Sequence, residues 1–340
     1  MRKKRFDWTV LVCILTLGGL GTAIIGSVAP SFLGSQIIFY LLGLVLFFIF
    51  SKIDYRIYGS AWRQIYGLSL IFLLITLILG LESRGATRWI SLFGFRLQFS
   101  EILKPFIFSS LAVLLAEKKY FKAIILTAIP IILIFKQPDL GSALVYFLGF
   151  AAMIFLSEIN LSFLLAGLGL AASLLPLVWH FLAGYQKTRI LSFLNPTSDP
   201  LGASYNAIQA VIAVGSGKIF GWGLGHGSQS QLLFLPEHHT DFVFASLAEE
   251  LGFLGAGILL LVYFILIMRI LKIAQNAEPL GKFLAVGLGM MLLGQVFINV
   301  GMNLGIVPVT GITLPLISYG GSSILATMIS LGIVENISRS

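Results

Sequence analysis

The sequence predicts an all-α, polytopic integral membrane protein, and three observations support this fold class. Of the 340 residues, 58% are hydrophobic and only 11% are charged, whereas soluble domains carry roughly 25% charged residues. The mean hydropathy is +0.98, so most segments are too apolar to face water. Apolar runs of about 20 residues, long enough to cross a bilayer, recur along the whole chain. We therefore expect one transmembrane domain covering 1–340.

The apolar runs predict about ten spans. The first, at about 8–29, follows a basic N-terminus. It is too long for the apolar core of a signal peptide and has no clear cleavage site, so we expect a retained span. The others follow in order at about 36–51, 64–81, 100–116, 121–135, 140–157, 161–184, 241–271, 282–303 and 319–335.

Lysines and arginines predict the orientation of these spans. With the N-terminus in the cytoplasm, the inner segments hold more of these cations than the outer ones, so the positive-inside rule places both termini inside. The net charge of +8 lies in short clusters and not in a stripe, which argues against nucleic-acid binding. The outer cations are unusual and therefore candidates for function: Arg84, Arg88, Arg96, Lys104, Lys136, Lys187, Arg189 and Lys218.

The outer segment 185–240 is too long for a plain connection. It contains an amphipathic stretch at 207–214 and a glycine-rich stretch at 215–227. One interpretation is a flexible surface loop. We favour a structured, partly re-entrant lid that packs on the bundle, since irregular backbone near a membrane must be buried in protein or line a wet cavity. The glycines follow no predicted strand, so they do not form a dinucleotide-binding motif.

Two polar groups lie at the outer ends of the fourth and sixth predicted spans. Glu101 and Lys104 are three residues apart, so they share a helix face and can pair, and Ser100 could cap that helix. Asp139 follows Gln137 and a proline, where it could cap the sixth span. Each group can be structural or can shape an outer cavity, and for the Glu101–Lys104 pair the two interpretations are compatible.

The start of the eighth predicted span carries most of the functional argument. Pro236 suits the first position of a helix, which would put Glu237 in the first turn, where the helix dipole favours an anion. Asp241 would follow one turn later, at the mouth of a long apolar run. We favour a functional role for Asp241 over a capping or pairing role. Glu249 and Glu250 lie deeper, where charge is costly, so we expect them to meet partners inside the bundle.

Other polar residues give weaker signals. Ser318 belongs to a small, kinked stretch, 308–323, that either packs helices closely or lines the same outer cavity. His238 and His239 are adjacent, so they do not share a helix face as paired zinc ligands do, and a zinc site is not favoured. Cys13 is the only cysteine, which excludes a disulfide within the chain.

Taken together, these motifs resemble those of the SEDS family (shape, elongation, division and sporulation), bacterial peptidoglycan glycosyltransferases with ten spans. The resemblance covers nearly the whole chain, and the order of the motifs makes it specific. The motifs are Gly85-Ala86-Thr87-Arg88-Trp89-Ile90, Ser100-Glu101 with Lys104, Gln137-Pro138-Asp139-Leu140-Gly141, Leu235-Pro236-Glu237 through Thr240-Asp241-Phe242, Glu249-Glu250-Leu251-Gly252, and Ser318-Tyr319-Gly320-Gly321-Ser322-Ser323.

Within the family, the chain most resembles the elongation branch, RodA, rather than the division branch, FtsW. The features that favour RodA are 229–232, the Ala248-Glu249-Glu250 triplet and 299–303. The chain departs from the usual family pattern at Phe99, Asn206 and Ala210. These departures affect expectations for the loops and leave the acid at 241 untouched.

The resemblance implies that the chain polymerises lipid II on the outer face of the bacterial cytoplasmic membrane. By that likeness Asp241 is the catalytic base on the acceptor 4-hydroxyl, and undecaprenyl pyrophosphate is the leaving group. A divalent cation, magnesium or manganese, could assist charge neutralisation, and the sequence does not identify its ligands. The residues expected to bind substrate or support the site are Glu101, Lys104, Arg88, Arg96, Gln137, Asp139, Lys187, Arg189, Glu237 and Ser318.

The expected partners are lipid II, the nascent glycan strand and a class B penicillin-binding protein, because the chain has no transpeptidase motif and the polymer must still be cross-linked. Two other functions remain open. A lipid II transporter would use the same apolar bundle and outer cations without needing a catalytic acid. A scaffold would only recruit the penicillin-binding protein.

Overall fold

The computed structural model describes residues 6–83, 86–92, 95–157, 159, 162–163, 167, 169, 172–173 and 175–340. Some sequence-based expectations fall outside this part of the chain. They are the basic N-terminal residues 2–5, Arg84 as an outer cation, Gly85 of the 85–90 motif, and much of the predicted seventh span.

Two long helices open the fold, α1 (Trp8–Val28) and α2 (Pro30–Lys52). Asp7 caps α1, since its carboxylate accepts a hydrogen bond from Thr9 N at 3.1 Å. Pro30 starts α2 because its fixed φ suits the first helical turn. The short α3 (Arg56–Ser60) and the apolar α4 (Trp62–Leu79) follow. The first three predicted spans are therefore helices.

A small antiparallel sheet fills the predicted outer segment 82–99, and the all-α prediction missed it. Its strands, in the order β1-β2-β3, are β1 (Leu81–Ser83), β2 (Ala86–Leu92) and β3 (Phe95–Leu97). In the register Leu81 pairs with Trp89, and Ser91 pairs with Arg96. The central strand holds the β-branched and aromatic residues that favour a pleated surface, but its shortness hid it from a search for long apolar runs.

The middle of the chain forms four helices. The break between the first two falls at Leu103, just before Lys104, and the turn between the last two contains Asp139. The helices are α5 (Phe99–Ile102), α6 (Lys104–Ala116), α7 (Tyr120–Lys136) and α8 (Leu140–Phe155).

The long segment predicted as a lid contains helices of its own, as expected of a structured element. The helices before and within it are α9 (Leu175–Phe181), α10 (Gly184–Leu194), α11 (Tyr205–Ser216) and α12 (Ser228–Gln231). In α11, which covers the predicted amphipathic stretch, Ala210 and Ala213 are fully buried, and the helix packs on the two helices that follow the lid. Whether the lid re-enters the membrane stays a prediction.

Three long helices complete the bundle: α13 (Val243–Gln275), α14 (Pro279–Asn303) and α15 (Gly321–Arg339). The most apolar stretches of α14 and α15 are 72% and 83% buried, against 28% for α2. With the α5–α6 stretch, which is 78% buried, the last two helices form the centre of the bundle. Helix α2, which packs along α15, lies at its edge.

Seven helices of the described chain are long and apolar enough to cross a membrane, counting α5 and α6 as one. This is the architecture of a multi-pass membrane protein. Of the other three predicted spans, two correspond to the 17-residue α7 and the 16-residue α8, and the third lies mostly outside the described residues. The count of ten and the N-in orientation stay predictions.

One feature of α13 was not expected: the helix breaks at Gly252, where φ is 66° and ψ is −168°. The glycine-rich part of the lid fills the break. Trp222 N and Gly223 N donate to the carbonyls of Glu249 and Glu250 at 3.1 and 2.9 Å. Beyond the break, Phe253 N and Leu254 N donate to lid carbonyls at 2.8 and 3.1 Å. The backbone groups that the break frees are thus satisfied, as burial requires.

Candidate active site

Asp241 lies half-buried in a series of turns just before α13. The prediction that Pro236 starts the helix is wrong, since α13 begins only at Val243. Glu237 is correspondingly not in the first helical turn. It has a φ of 55°, and its carbonyl accepts hydrogen bonds from Thr240 N and Phe242 N at 3.1 and 3.2 Å. The turn forms because these backbone bonds close on Glu237, and it places Asp241 outside the helix.

The backbone on the N-terminal side of Asp241 is held by the stretch before α15. Tyr319 N donates to His239 O at 2.9 Å, and Ser318 Oγ donates to Thr240 O at 2.6 Å. The same hydroxyl accepts Leu314 N at 2.8 Å. Ser318 therefore links the turn before Asp241 to the 308–323 stretch, and a role of that stretch in lining an outer cavity stays a prediction.

Two residues with no site role expected from the sequence lie on the other side. Asn299 Nδ2 and Asn303 Nδ2 donate to the carbonyl of Asp241 at 2.9 and 3.1 Å. Both side chains are completely buried. In the sequence these two asparagines stand out only as members of the 299–303 motif, which carries the branch resemblance and predicts no role.

Gly311 brings a cation to the side of Asp241. Its φ of 77° is favourable only for glycine. The chain turns at Gly311, and the side chains of Asp241 and Arg189 both approach this residue. A Cβ on Gly311 would lie 3.4 Å from Asp241 Oδ2 and 3.8 Å from Arg189 Nη1. Arg189 is further held by its hydrogen bond to Val309 O at 3.4 Å. The expected outer cation Arg189 therefore lies beside the expected base.

Asp139 is the centre of a second polar group. It caps α8 by accepting Ser142 N at 3.1 Å, which confirms the capping interpretation. Its other oxygen accepts Gln98 Nε2 at 2.8 Å and Ser100 Oγ at 3.4 Å, and Arg88 Nη1 lies 3.9 Å from Oδ1. Ser100 makes no cap of its own helix, so that expectation is wrong.

Tyr185 of α10 connects the two polar groups. Its hydroxyl accepts from Arg88 Nη2 at 2.9 Å and donates to Pro138 O at 2.6 Å. The guanidinium of Arg189 lies 5.6 Å from the centre of the Tyr185 ring. Tyr185 thus brings together Arg88 of β2 and Arg189 of the lid, and these two arginines make up the cation patch.

Glu101 and Lys104 form the expected ion pair, with Lys104 Nζ bound to Glu101 Oε1. Lys104 is 1% exposed, so its charge is neutralised inside the bundle. Gln295 Nε2 donates to Glu101 Oε2 at 3.4 Å, and Tyr146 donates to the carbonyl of Ser100 at 3.0 Å. The pair thus contacts α14, and the Ser100 carbonyl next to it joins α5 to α8.

The remaining expected site residues have other contacts. Gln137 is fully buried and donates to Leu73 O at 2.8 Å, so it joins α7 to α4. Arg96 is exposed on β3, and Lys187 donates to His180 O at 3.4 Å. Roles of these three residues in substrate binding stay predictions.

The buried acids Glu249 and Glu250 meet partners, as expected, but the partners come from the lid and α1. Glu249 accepts Gln229 N at 2.7 Å and Ser230 N at 3.1 Å. Glu250 accepts Gly225 N at 3.0 Å and Ser27 Oγ at 2.7 Å. These acids anchor the lid to α13.

Within the residues that the structure describes, no group of three or more His, Cys, Asp and Glu side chains could hold a metal ion. The expectation that magnesium or manganese assists charge neutralisation therefore stays a prediction.

Comparison with known proteins supplies the biological context. The FTSW_RODA_SPOVE family model, described as a cell cycle protein, matches residues 8–340. The peptidoglycan glycosyltransferase MrdB of Escherichia coli (strain K12) is 42% identical over an alignment of 288 residues, and the match covers 80% of this chain and 76% of that protein. Stage V sporulation protein E of Bacillus subtilis (strain 168) is 38% identical over 292 residues, covering 82% of this chain and 79% of that one.

Solved structures match over almost the whole length. A chain from a peptidoglycan synthase complex, studied for the structural coordination of polymerization and crosslinking, has a TM-score of 0.84 at 34% identity. The match covers 98% of both chains. The rod shape determining protein RodA of Thermus thermophilus has a TM-score of 0.74 at 30% identity, covering 98% of this chain and 97% of that one.

Proposed function

This chain belongs to the FtsW/RodA/SpoVE (SEDS) family and is similar to RodA members of it. From that membership we propose that it polymerises lipid II into glycan strands during cell elongation. Its relatives are named as peptidoglycan glycosyltransferases, and this chain is an enzyme of that kind in a multi-pass membrane fold. The elongation role is supported by the similarity to a rod shape determining protein.

The observation that carries the mechanism is the half-buried carboxylate of Asp241 on a backbone held from both sides. In the proposed reaction the carboxylate accepts the proton of the acceptor 4-hydroxyl. The freed oxygen attacks the anomeric carbon of the growing chain, and the bond from that carbon to the undecaprenyl pyrophosphate oxygen breaks. The bonding electrons leave with the pyrophosphate. A general base of this kind contributes about 10²–10⁴-fold.

The cation patch suits the leaving group. A pyrophosphate is multiply anionic, and arginine forks match phosphate oxygens in a bidentate manner. Arg189 lies beside Asp241, and both Arg189 and Arg88 contact Tyr185. The outer orientation of this patch follows from the predicted topology. Arg96 and Lys187 are proposed as peripheral contacts for the charged head of lipid II.

The proposed partner is a class B penicillin-binding protein. The support is the structural similarity to a chain from a complex that couples polymerization to crosslinking. A glycosyltransferase without a transpeptidase motif needs such a partner to produce cross-linked wall.

The test is polymerisation of lipid II by the purified protein together with its partner in proteoliposomes. Asp241→Asn and Asp241→Ala should lower the rate by at least about 10²-fold, as expected for loss of a base, while the thermal unfolding midpoint changes little. Asp199→Asn is the matched control because Asp199 is an exposed acid on the lid, and it should polymerise normally.

The outcomes separate the rival functions. Normal polymerisation by Asp241→Ala would show that Asp241 is not the general base. If the native protein makes no polymer but moves labelled lipid II across the bilayer, the transporter function replaces the enzyme. If it does neither and still binds the penicillin-binding protein, the scaffold function replaces both.

A further inference from the structure

The last turn of α14 presents two buried amides to the start of α13. Asn299 and Asn303 are four residues apart, so both side chains lie on one helix face. Both are 0% exposed. Buried amides are retained only when they are hydrogen-bonded, because an unpaired buried amide destabilises the folded protein. Their partners therefore show what they hold in place.

Asn303 takes the place of a helical hydrogen bond. In a regular helix the amide of Ala245 would donate to the carbonyl of Asp241. Here Ala245 N donates to Asn303 Oδ1 at 3.0 Å, and Asn303 Nδ2 donates to Asp241 O at 3.1 Å. One side-chain amide is thus inserted between the two backbone groups. The first backbone bond of α13 is the next one along, from Ser246 N to Phe242 O at 3.2 Å.

Asn299 adds a second donor and ties in a third segment. Its Nδ2 donates to Asp241 O at 2.9 Å and to Ile312 O at 2.7 Å. Ile312 follows Gly311, which lies against the carboxylate of Asp241 and the guanidinium of Arg189. The same amide thus holds both the backbone of Asp241 and the turn that brings Arg189 to it.

We propose that Asn299 and Asn303 are positioning residues that keep Asp241 out of the helix and aim its carboxylate at the acceptor hydroxyl. This proposal rests on the function proposed above. An aspartate whose carbonyl bonded Ala245 N would turn with the helix, and its side chain would move with it. A shift of about 1 Å in a reacting group can cost roughly 10²-fold in rate. Only a side chain with both a donor and an acceptor can bridge the two groups.

The experiment measures lipid II polymerisation by the protein with its partner, giving kcat and KM for each variant, alongside the thermal unfolding midpoint. Asn303→Ala should lower kcat about 10-fold to 10²-fold, as expected for a displaced base, with KM within about twofold of native, because the cations that bind the substrate remain. Asn299→Ala keeps the Asn303 bridge and should therefore lose less kcat than Asn303→Ala. It also serves as the second variant, because it should still fold if Asn303→Ala does not.

Asn336 supplies a matched control. It is also a buried asparagine, which accepts Tyr55 N at 3.0 Å and donates to Ser51 O at 3.1 Å. It lies near the far end of α15 from the site. Asn336→Ala should lower the unfolding midpoint to a similar degree and leave kcat of the folded protein unchanged. An equal loss of kcat in Asn336→Ala would overturn the proposal, as would a native kcat in both Asn299→Ala and Asn303→Ala.

A double variant separates this proposal from the function on which it rests. If the asparagines act through Asp241, adding Asn303→Ala to Asp241→Ala should not lower the residual rate further, since the two effects are not additive. A further loss equal to that of the single variant would show an independent, structural role. If Asp241→Ala alone polymerises normally, the proposed base is wrong, whatever the asparagine variants do.

Discussion

Gly252 packs directly on the backbone of Ile219, so closely that a Cβ on Gly252 would lie 2.5 Å from the Ile219 carbonyl oxygen. The contact joins the break in α13 to the glycine-rich lid. Two features explain why position 252 is glycine. The φ of 66° disfavours other residues. The facing atoms are backbone atoms, which cannot move aside as a flexible side chain would.

Gly252→Ala should therefore detach the lid from α13. We expect a lower unfolding midpoint and faster proteolysis within 217–231, because the backbone bonds across the break would be lost. Limited proteolysis followed by mass spectrometry measures this. Gly257→Ala is the control, since it lies in the same helix with no atom within 4 Å of its Cβ, and it should be neutral or slightly stabilising. Equal proteolysis rates in the two variants would contradict the prediction.

The ion pair of Glu101 and Lys104 should behave as a buried unit. Lys104→Met leaves the Glu101 charge without its partner, and breaking a buried pair in this way costs about 3–5 kcal/mol. The double variant with Glu101→Gln removes both charges and should recover much of that loss. Unfolding in detergent, followed by circular dichroism, measures both.

The exposed pair of Lys119 and Glu117 is the control for this experiment. Their side chains are 55% and 44% exposed, and such surface pairs contribute about 0–1 kcal/mol. Lys119→Met should therefore change stability little. A double variant at 101 and 104 that is as unstable as Lys104→Met alone would show that the charges themselves are not the cause.

Ser318→Ala should reduce activity more than stability. The change removes the hydroxyl that donates to Thr240 O and accepts Leu314 N, so the residue before Asp241 loses its anchor. We expect kcat to fall about tenfold, less than the roughly 10²-fold cost of a 1 Å displacement. Ser330→Ala is the control, since Ser330 is equally buried but bonds only within its own helix, to Ala326 O. Steady-state polymerisation assays of both variants measure this difference. Equal rates for Ser318→Ala and Ser330→Ala would rule out the anchoring role of Ser318.

His239 should make stability depend on pH. Burial, followed by the charge of His238, lowers the pKa of His239 from its usual 6.5. The unfolded chain then binds a proton more readily than the folded protein does. The stabilisation is therefore complete above about pH 6.5 and is lost as the pH falls toward the lowered pKa of the folded state.

Unfolding midpoints measured from about pH 8 to about pH 5 span the range in which histidine titrates. His239→Phe removes the titrating group and keeps an aromatic ring to stack on Phe32, which lies 4.8 Å from the His239 ring centre. The midpoint of this variant should fall less steeply with acid than that of the native protein. Exposed His226, changed to Gln, should leave the native slope unaltered. Parallel slopes for the native protein and His239→Phe would assign the acid sensitivity to another group.

Local chemistry allowed part of the site to be predicted. Glu101 and Lys104 pair because they are three residues apart on one helix, and Asp139 caps α8 because a proline and a helix start surround it. Neither relation depends on distant parts of the chain. The β1-β2-β3 sheet was missed because its strands are short and are defined by their pairing, which composition does not reveal.

Apolar runs and ordered motifs are local properties of the chain, so they predict a helical membrane protein, its family resemblance and the acid that stands out. The start of α13 at Val243, its break at Gly252 and the two asparagines that hold the carbonyl of Asp241 appear only in the folded protein. Each of these features satisfies backbone groups with donors or acceptors at least 27 residues away in the chain. Such pairings exist only once the helices have packed.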